Sequence, residues 1–158
     1  GYITTLGWDT IDGSGGSSFL DKTYEKLGGS PWVYKAWYKN RGGNSCARAN
    51  PWLTNEDLTD IVNAAIVLKT GSDGRVTPVT TSCWGGNPYS YDELRSRGGI
   101  SSVSSVYVAQ GNGVTNQVVV NGNIYLSGDE FKQAFNLRAP GYLSIPQSGF
   151  AFFNVEKK

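Results

Sequence analysis

Apolar residues recur at helical spacing in one segment of the chain, residues 55–68. They fall at i, i+3, i+4, i+7 and i+8, at Leu58, Ile61, Val62, Ala65 and Ile66. This spacing puts all five on one side of an α-helix, which can pack that side against a core. The pattern therefore predicts an amphipathic helix over these residues.

Three segments carry the sequence of a helix start, a Ser or Thr followed three residues later by an acid. They begin at Thr54, Ser90 and Ser127. The hydroxyl and carboxyl groups of such a capping box accept hydrogen bonds from backbone N–H groups that lack a partner within the helix, and the acid also favours the positive helix end. We expect a helix after each segment. Capping also explains the acids at these starts.

The second and third of these helices are expected to be shorter than the first. Gly98 and Gly99 end the second. The third is expected over about residues 128–136, with Phe131 and Phe135 facing the core.

β-branched and aromatic residues predict strands in the last third of the chain. The expected strands are residues 106–108, 118–120, 124–126, 142–145 and 150–155. Asn121-Gly122-Asn123 is a strong hairpin signal between the second and third of them. Residues 146–149 are expected to join the last two in another hairpin. The fold class is therefore α+β, with short capped helices packed on a small antiparallel sheet.

The first 30 residues are rich in Gly and Ser and are expected to form loops and turns around one short helix at residues 19–27. A chain of 158 residues suffices for one core and is short for two. We expect a single domain over 1–158, with a loop-rich segment at 1–30 and an α+β core at 31–158. The start lacks a signal peptide and a Met, which favours a mature chain or a piece of a longer protein.

The composition excludes several classes of site. The absence of His excludes Ser-His-Asp catalysis and His-based zinc sites. There is no Cys-x-x-Cys pair and no P-loop sequence, so neither a metal nor a cofactor is expected. The 14 basic and 13 acidic residues leave a net charge of +1, too low for a general nucleic-acid binder. No apolar run is long enough to span a membrane.

The two cysteines, Cys46 and Cys83, are expected to form a disulfide. Such a bond would stabilise the fold by about 3–4 kcal/mol and would place the protein outside the cytoplasm. The alternatives are a reactive thiol, for which the sequence shows no basic activating partner, and two free thiols.

Most candidate binding residues come from one segment that mixes aromatic and basic side chains. They are Trp32, Tyr34, Lys35, Trp37, Tyr38, Lys39, Arg41 and Trp52. Residues 22–48 carry six basic residues and one acid, a local charge of +5. Aromatic faces stack on sugar rings or bases, and the interleaved cations attract an anionic polymer. The alternative is that the aromatic residues belong to the core and the lysines to its wet edge.

A second candidate is the segment 81–89, where Gly85-Gly86 allows a ligand to approach the backbone closely. The alternative is a disulfide-anchored turn that leads into the second helix.

Acids not explained by capping are the candidates for a glycosidase pair. They are Asp9, Asp12, Asp21, Glu25, Asp60, Asp73 and Glu156. None lies in an apolar stretch of sequence that would raise its pKa, so we assign no catalytic residue.

Three segments, residues 29–37, 51–64 and 127–141, resemble the latter portion of the stage II sporulation protein D family, which includes the amidase-enhancer proteins. The specific pieces are a Trp-x-Thr-like entry to a helix, a short strand pair, and a Ser-Gly-x-x-Phe helix that closes in Asn-Leu-Arg. The resemblance extends over about residues 24–155, in the form found in large bacterial surface proteins.

The resemblance implies a function in the bacterial cell wall. Members of the family bind the glycan strands of peptidoglycan, and some are lytic transglycosylases or amidase activators. The family's catalytic Glu lies in a Glu-x-Pro segment that this chain lacks, so no catalytic residue carries over. Arg138 matches a family motif and either binds a glycan carboxylate or anchors the sheet.

We therefore expect a non-catalytic module, on the outside of a bacterial cell, that binds or positions cell-wall glycan. Its other partners would be further domains of a longer parent chain. The alternatives are a divergent lytic transglycosylase and a structural or interaction module of a surface protein. The last would have an apolar patch but no sugar-shaped groove.

Overall fold

The computed structural model describes residues 1–7, 32–33, 37–38, 52–111, 113–141, 143–145 and 149–157. These residues form an α+β fold, which confirms the predicted class. The helices are α1 (Asn55–Leu68), α2 (Thr81–Trp84), α3 (Tyr91–Gly98) and α4 (Gly128–Arg138). The strands are β1 (Tyr2–Gly7), β2 (Trp32–Val33), β3 (Trp37–Tyr38), β4 (Val106–Gly111), β5 (Val114–Val120), β6 (Ile124–Ser127), β7 (Leu143–Ser144) and β8 (Phe153–Lys157).

All three predicted helix starts are confirmed, each with a complete capping box. Thr54, Ser90 and Ser127 each accept a hydrogen bond from the backbone N–H three residues on, and the acid at that position accepts one in return. Local sequence suffices here because both partners of each bond lie within one turn. Residues 19–27, where another helix was expected, lie outside the described residues.

Helix α1 lies at the centre of the described core, between α3 and α4. Its predicted apolar side is buried as far as Ala65, and Ile66 is half-buried against the core. The third predicted helix, α4, runs two residues further than expected, to Arg138. Phe131 of α4 is fully buried and stacks on Phe153 of β8 at a centroid distance of 5.2 Å.

Strands β4, β5 and β6 form an antiparallel sheet in that order, with the predicted hairpin between β5 and β6. Asn121 and Gly122 both have positive φ, 55° and 74°, as a tight hairpin turn requires. One face of the sheet buries Val118, Val120 and Leu126 towards the helices. On the other face, Tyr107 and Tyr125 are exposed.

The predicted hairpin between the last two strands is wrong. Strand β7 pairs with β3, and β8 pairs with β1, so the two strands belong to different sheets. The expected loop at residues 1–30 is likewise corrected at its start, because residues 2–7 form a strand between β2 and β8. A pairing between the two ends of the chain leaves no local signal, whereas a hairpin does.

Strand β5 is tied to β8 through one buried hydroxyl group. Thr115 Oγ1 donates to the Phe153 carbonyl oxygen at 2.7 Å and accepts from the Phe153 N–H at 2.8 Å. Gly128, the first residue of α4, lies against the Thr115 carbonyl oxygen, where a Cβ atom would overlap it. This crowded junction sets where α4 leaves the sheet. No helix among the described residues is both long and apolar enough to span a bilayer.

Candidate functional site

The structure describes the predicted aromatic and basic site residues in part. Tyr34, Lys35, Lys39 and Arg41 lie outside the described residues. For Trp32, Trp37 and Tyr38 the structure describes only the backbone, in β2 and β3. Trp52 is described, and its side chain is 42% exposed. The role of this segment in binding stays a prediction.

Arg138 is an anchor inside the protein and not a surface contact for glycan. Its side chain is fully buried. It donates to both carboxylate oxygens of Asp60, at 2.7 and 3.1 Å, and to the carbonyl oxygen of Thr77 at 2.7 Å. All three donor nitrogens therefore have partners within the protein. Of the two roles expected for it, the structure supports anchoring, although the element it anchors is α1 and not the sheet.

Asp60 corrects the expectation that no uncapped acid has a setting that raises its pKa. Burial raises the pKa of this carboxyl group, while the hydrogen bonds and charge of Arg138 oppose the shift. The side chain is only 6% exposed and is held by Arg138. It is therefore a buried structural acid, which offers no carboxyl group to a substrate at the surface.

Cys83 is disulfide-bonded. The chain contains one other cysteine, Cys46, which lies outside the described residues. Cys83 belongs to α2, a single helical turn within the segment that the sequence suggested as a disulfide-anchored turn. The helical turn itself was not predicted, because Thr-Ser-Cys-Trp carries no helix periodicity.

The face of the β4–β5–β6 sheet that points away from the helices carries two exposed tyrosines, Tyr107 and Tyr125. The strand register aligns Tyr107 of β4 with Val119 of β5 and Val119 with Tyr125 of β6. Residues that are aligned across strands share a face. The Tyr107 and Tyr125 side chains are 67% and 54% exposed, and Val119 between them is half-buried. We call these three residues the tyrosine row.

The tyrosine row lies in a stretch of sequence without charge. Residues 98–128 contain no Lys, Arg, Asp or Glu. The next aligned row on the same face consists of Ala109, Gln117 and Ser127. A flat apolar row beside amide and hydroxyl groups suits a neutral ligand that has both C–H faces and hydroxyl groups.

The sequence carries a signal for the exposure of both tyrosines. Tyr107 lies between two valines, and Tyr125 lies between Ile124 and Leu126. In a strand with one buried face, the residue between two buried neighbours points to solvent. The alternation marks each tyrosine as exposed, but only the register shows that the two lie in one row.

A cleft of about 300 Å³ opens beside the second predicted candidate, the Gly85-Gly86 pair. Its walls come from α2, the following loop and the first turn of α3. The residues that line it include Thr81, Gly86, Asn87, Tyr89, Tyr91 and Glu93. This candidate therefore combines the expected anchored turn with a concave surface.

No family model, curated protein or solved structure matches this chain. The resemblance to the stage II sporulation protein D family therefore rests on the sequence motifs. Among the described residues, no group of three or more His, Cys, Asp or Glu side chains is arranged to hold a metal ion. Within the described part of the chain, the tyrosine row and the cleft are candidate binding surfaces.

Proposed function

We propose that this protein is a non-catalytic module that binds or positions cell-wall glycan, and that the tyrosine row is its contact surface. The observation that carries the proposal is the alignment of two exposed tyrosines on one face of the sheet. An exposed aromatic side chain combines a large apolar ring with a polar hydroxyl group. A sugar ring presents the complementary combination of C–H faces and hydroxyl groups.

The spacing of the two tyrosines supports an extended glycan as the ligand. They lie two strands apart, which corresponds to about 10 Å between their positions. A chain of sugar units lying across the strands can therefore place one ring on each tyrosine. A glycan chain that contacts both tyrosines binds more strongly than one that contacts a single tyrosine, because the second contact forms within the complex that already exists.

The residues of this face carry no charge, and Lys69, whose Nζ lies 3.4 Å from the Tyr125 carbonyl oxygen, is paired with Glu130 at 3.8 Å. This balance of charge supports the neutral sugar units of a glycan as the part that is bound. Two observations support the cell wall as the source of this glycan. One is the resemblance of the sequence to the family, and the other is the disulfide-bonded Cys83, which favours a location outside the cytoplasm. The location expected for the module is the extracellular or cell-surface side of a bacterium.

The transglycosylase alternative requires an accessible carboxyl group of raised pKa. Asp60 has a raised pKa but is held inside by Arg138. The pKa of Asp73 is lowered, first by the hydrogen bond from the Tyr89 hydroxyl group. No observation on the described residues favours this alternative over binding.

The test is a pull-down of the purified chain on insoluble peptidoglycan at low and at high salt, with muropeptide release followed in the same tube. We expect binding without release. We also expect Tyr107→Ala and Tyr125→Ala each to weaken binding several-fold to about tenfold, the effect of losing one stacking contact. Leu137→Ala is the matched control, because Leu137 is another exposed apolar side chain but belongs to α4.

The salt dependence separates the tyrosine row from the basic segment. The row carries no charge, so binding through it survives high salt, whereas binding through Lys35, Lys39 and Arg41 falls steeply. Full binding by the Tyr107→Ala/Tyr125→Ala double variant would refute the row as the contact surface. Muropeptide release would favour the transglycosylase, and neither binding nor release would favour an interaction module.

A further inference from the structure

The cleft beside Gly86 has a wall that is fixed before any ligand arrives. The Tyr89 hydroxyl group donates to Asp73 Oδ2 at 2.7 Å, and the Tyr89 N–H donates to the Arg75 carbonyl oxygen at 3.0 Å. The guanidinium groups of Arg75 and Arg97 lie 4.2 and 4.7 Å from the centre of the Tyr89 ring. A wall that is already ordered loses little entropy on binding.

The charged groups around the cleft compensate one another. Arg75 donates to Glu93 Oε2 at 3.2 Å, and the other oxygen of Glu93 accepts from the Ser90 N–H at 3.1 Å. These bonds, that of Ser90 first, lower the pKa of Glu93. Two carboxylates, those of Asp73 and Glu93, therefore face two guanidinium groups. The described residues around the cleft therefore offer no uncompensated charge to a ligand, which favours a neutral one.

Two polar side chains in the cleft remain available to a ligand. The Asn87 carboxamide and the Thr81 hydroxyl group are exposed and make no hydrogen bond to the described part of the chain. A carboxamide presents a donor and an acceptor side by side. The donor and the acceptor of the Asn87 carboxamide match two adjacent hydroxyl groups of a sugar ring.

Gly86 lines the cleft, and Gly85 precedes it in the chain. Both residues have positive φ, 67° and 73°, which favours glycine at these positions. A Cβ atom on either would meet no atom within 4 Å. The volume of about 300 Å³ lies at the lower end of the range for small-molecule sites and suits one ring rather than a chain.

We propose that this cleft is a second binding site, which takes one neutral sugar unit through Asn87 and Thr81. The unit is either a free monosaccharide or the end of a glycan. The site lies on α2, α3 and the loop between them, and it shares no residue with the tyrosine row. The proposal for the cleft can therefore be tested independently of the function proposed for the tyrosine row.

The test is a titration of the uniformly ¹⁵N-labelled whole chain with N-acetylglucosamine, followed by NMR. We expect saturable shifts of backbone amides in residues 81–93. Asn87→Ala and Thr81→Val should each raise the dissociation constant at least fivefold. Leu137→Ala is the control and should leave this binding unchanged, because Leu137 is an exposed residue of α4 outside both proposed surfaces. Thermal unfolding of each variant verifies that the fold is intact.

Two further probes define the ligand. N-acetylmuramic acid adds a carboxylate to the same ring and should bind several-fold more weakly. Tri-N-acetylchitotriose should bind as tightly as the monosaccharide if its end enters the cleft, whereas failure of the trimer to bind would identify a free monosaccharide as the ligand. The proposal is overturned if residues 81–93 do not shift, if Asn87→Ala and Thr81→Val have no effect, or if the charged sugar binds more tightly.

Discussion

Arg138 at the end of α4 and Asp60 in the middle of α1 are joined by two hydrogen bonds, from Nε to Oδ2 at 2.7 Å and from Nη2 to Oδ1 at 3.1 Å. The pair connects residues 78 positions apart in the sequence. It has little access to solvent, since the Arg138 side chain is fully buried. Neither charge can be hydrated when its partner is missing, so each depends on the other.

We predict that Arg138→Met lowers the free energy of unfolding by about 3–5 kcal/mol, because it leaves the Asp60 carboxylate buried without its partner. Urea denaturation measures this change. The matched double variant, Arg138→Met with Asp60→Leu, should recover most of the loss, since it removes both charges. A loss below about 1 kcal/mol for the single variant would show that the pair behaves like an exposed one.

Tyr91 should make the stability sensitive to alkaline pH. Burial, followed by the nearby charges of Asp57 and Asp60, raises the pKa of Tyr91 from 10.0 to about 12. Because the folded state holds this proton more tightly, the resulting stabilisation is complete below pH 10 and is lost as the pH rises to about 12. Urea midpoints measured across this interval should therefore fall for the wild type and fall less for Tyr91→Phe.

The absorbance of the phenolate group provides an independent check on Tyr91. Its ionisation should appear as a late step near pH 12 in the native protein, and Tyr91→Phe should remove that step. If the variant instead loses an ionisation near the ordinary pKa of tyrosine, burial does not control this group.

Gly128 should tolerate no larger residue. A Cβ atom at this position would overlap the Thr115 carbonyl oxygen, which is backbone and is held in the junction between β5 and β8. We expect Gly128→Ala to destabilise the fold by about 1–3 kcal/mol or more, as overpacking does elsewhere. Chemical denaturation measures the change.

Gly74→Ala is the matched control for Gly128→Ala. A Cβ atom there would meet nothing within 4 Å, so the change in unfolding free energy should stay within about 0.5 kcal/mol. Equal effects of the two substitutions would mean that α4 can shift away from Thr115 at no cost.

Local signals in the sequence determined the three capped helices and one hairpin. The capping boxes that begin at Thr54, Ser90 and Ser127 form as predicted, and so does the turn at 121–123. In each case the interacting groups lie within a few residues of one another, so the chain there folds much as its local sequence dictates. Helix periodicity likewise identified the buried side of α1.

Contacts between distant parts of the chain were decided only by the tertiary structure. The pairing of β1 with β8 replaced the expected final hairpin. The partner of Arg138 was equally hidden, because an isolated Asp60 in the sequence resembles any solvated helix acid. Burial in three dimensions made it a structural residue.

The two candidate surfaces show the same division. The sequence by itself determined that Tyr107 and Tyr125 point away from the buried face of their strands. It also determined that Gly85-Gly86 allows a ligand to approach the backbone closely. Only the tertiary structure decided that the two tyrosines share one row and that Gly86 borders a cleft. The physical reason is that a side chain's direction follows from local backbone geometry, whereas a surface is assembled from residues that the fold brings together.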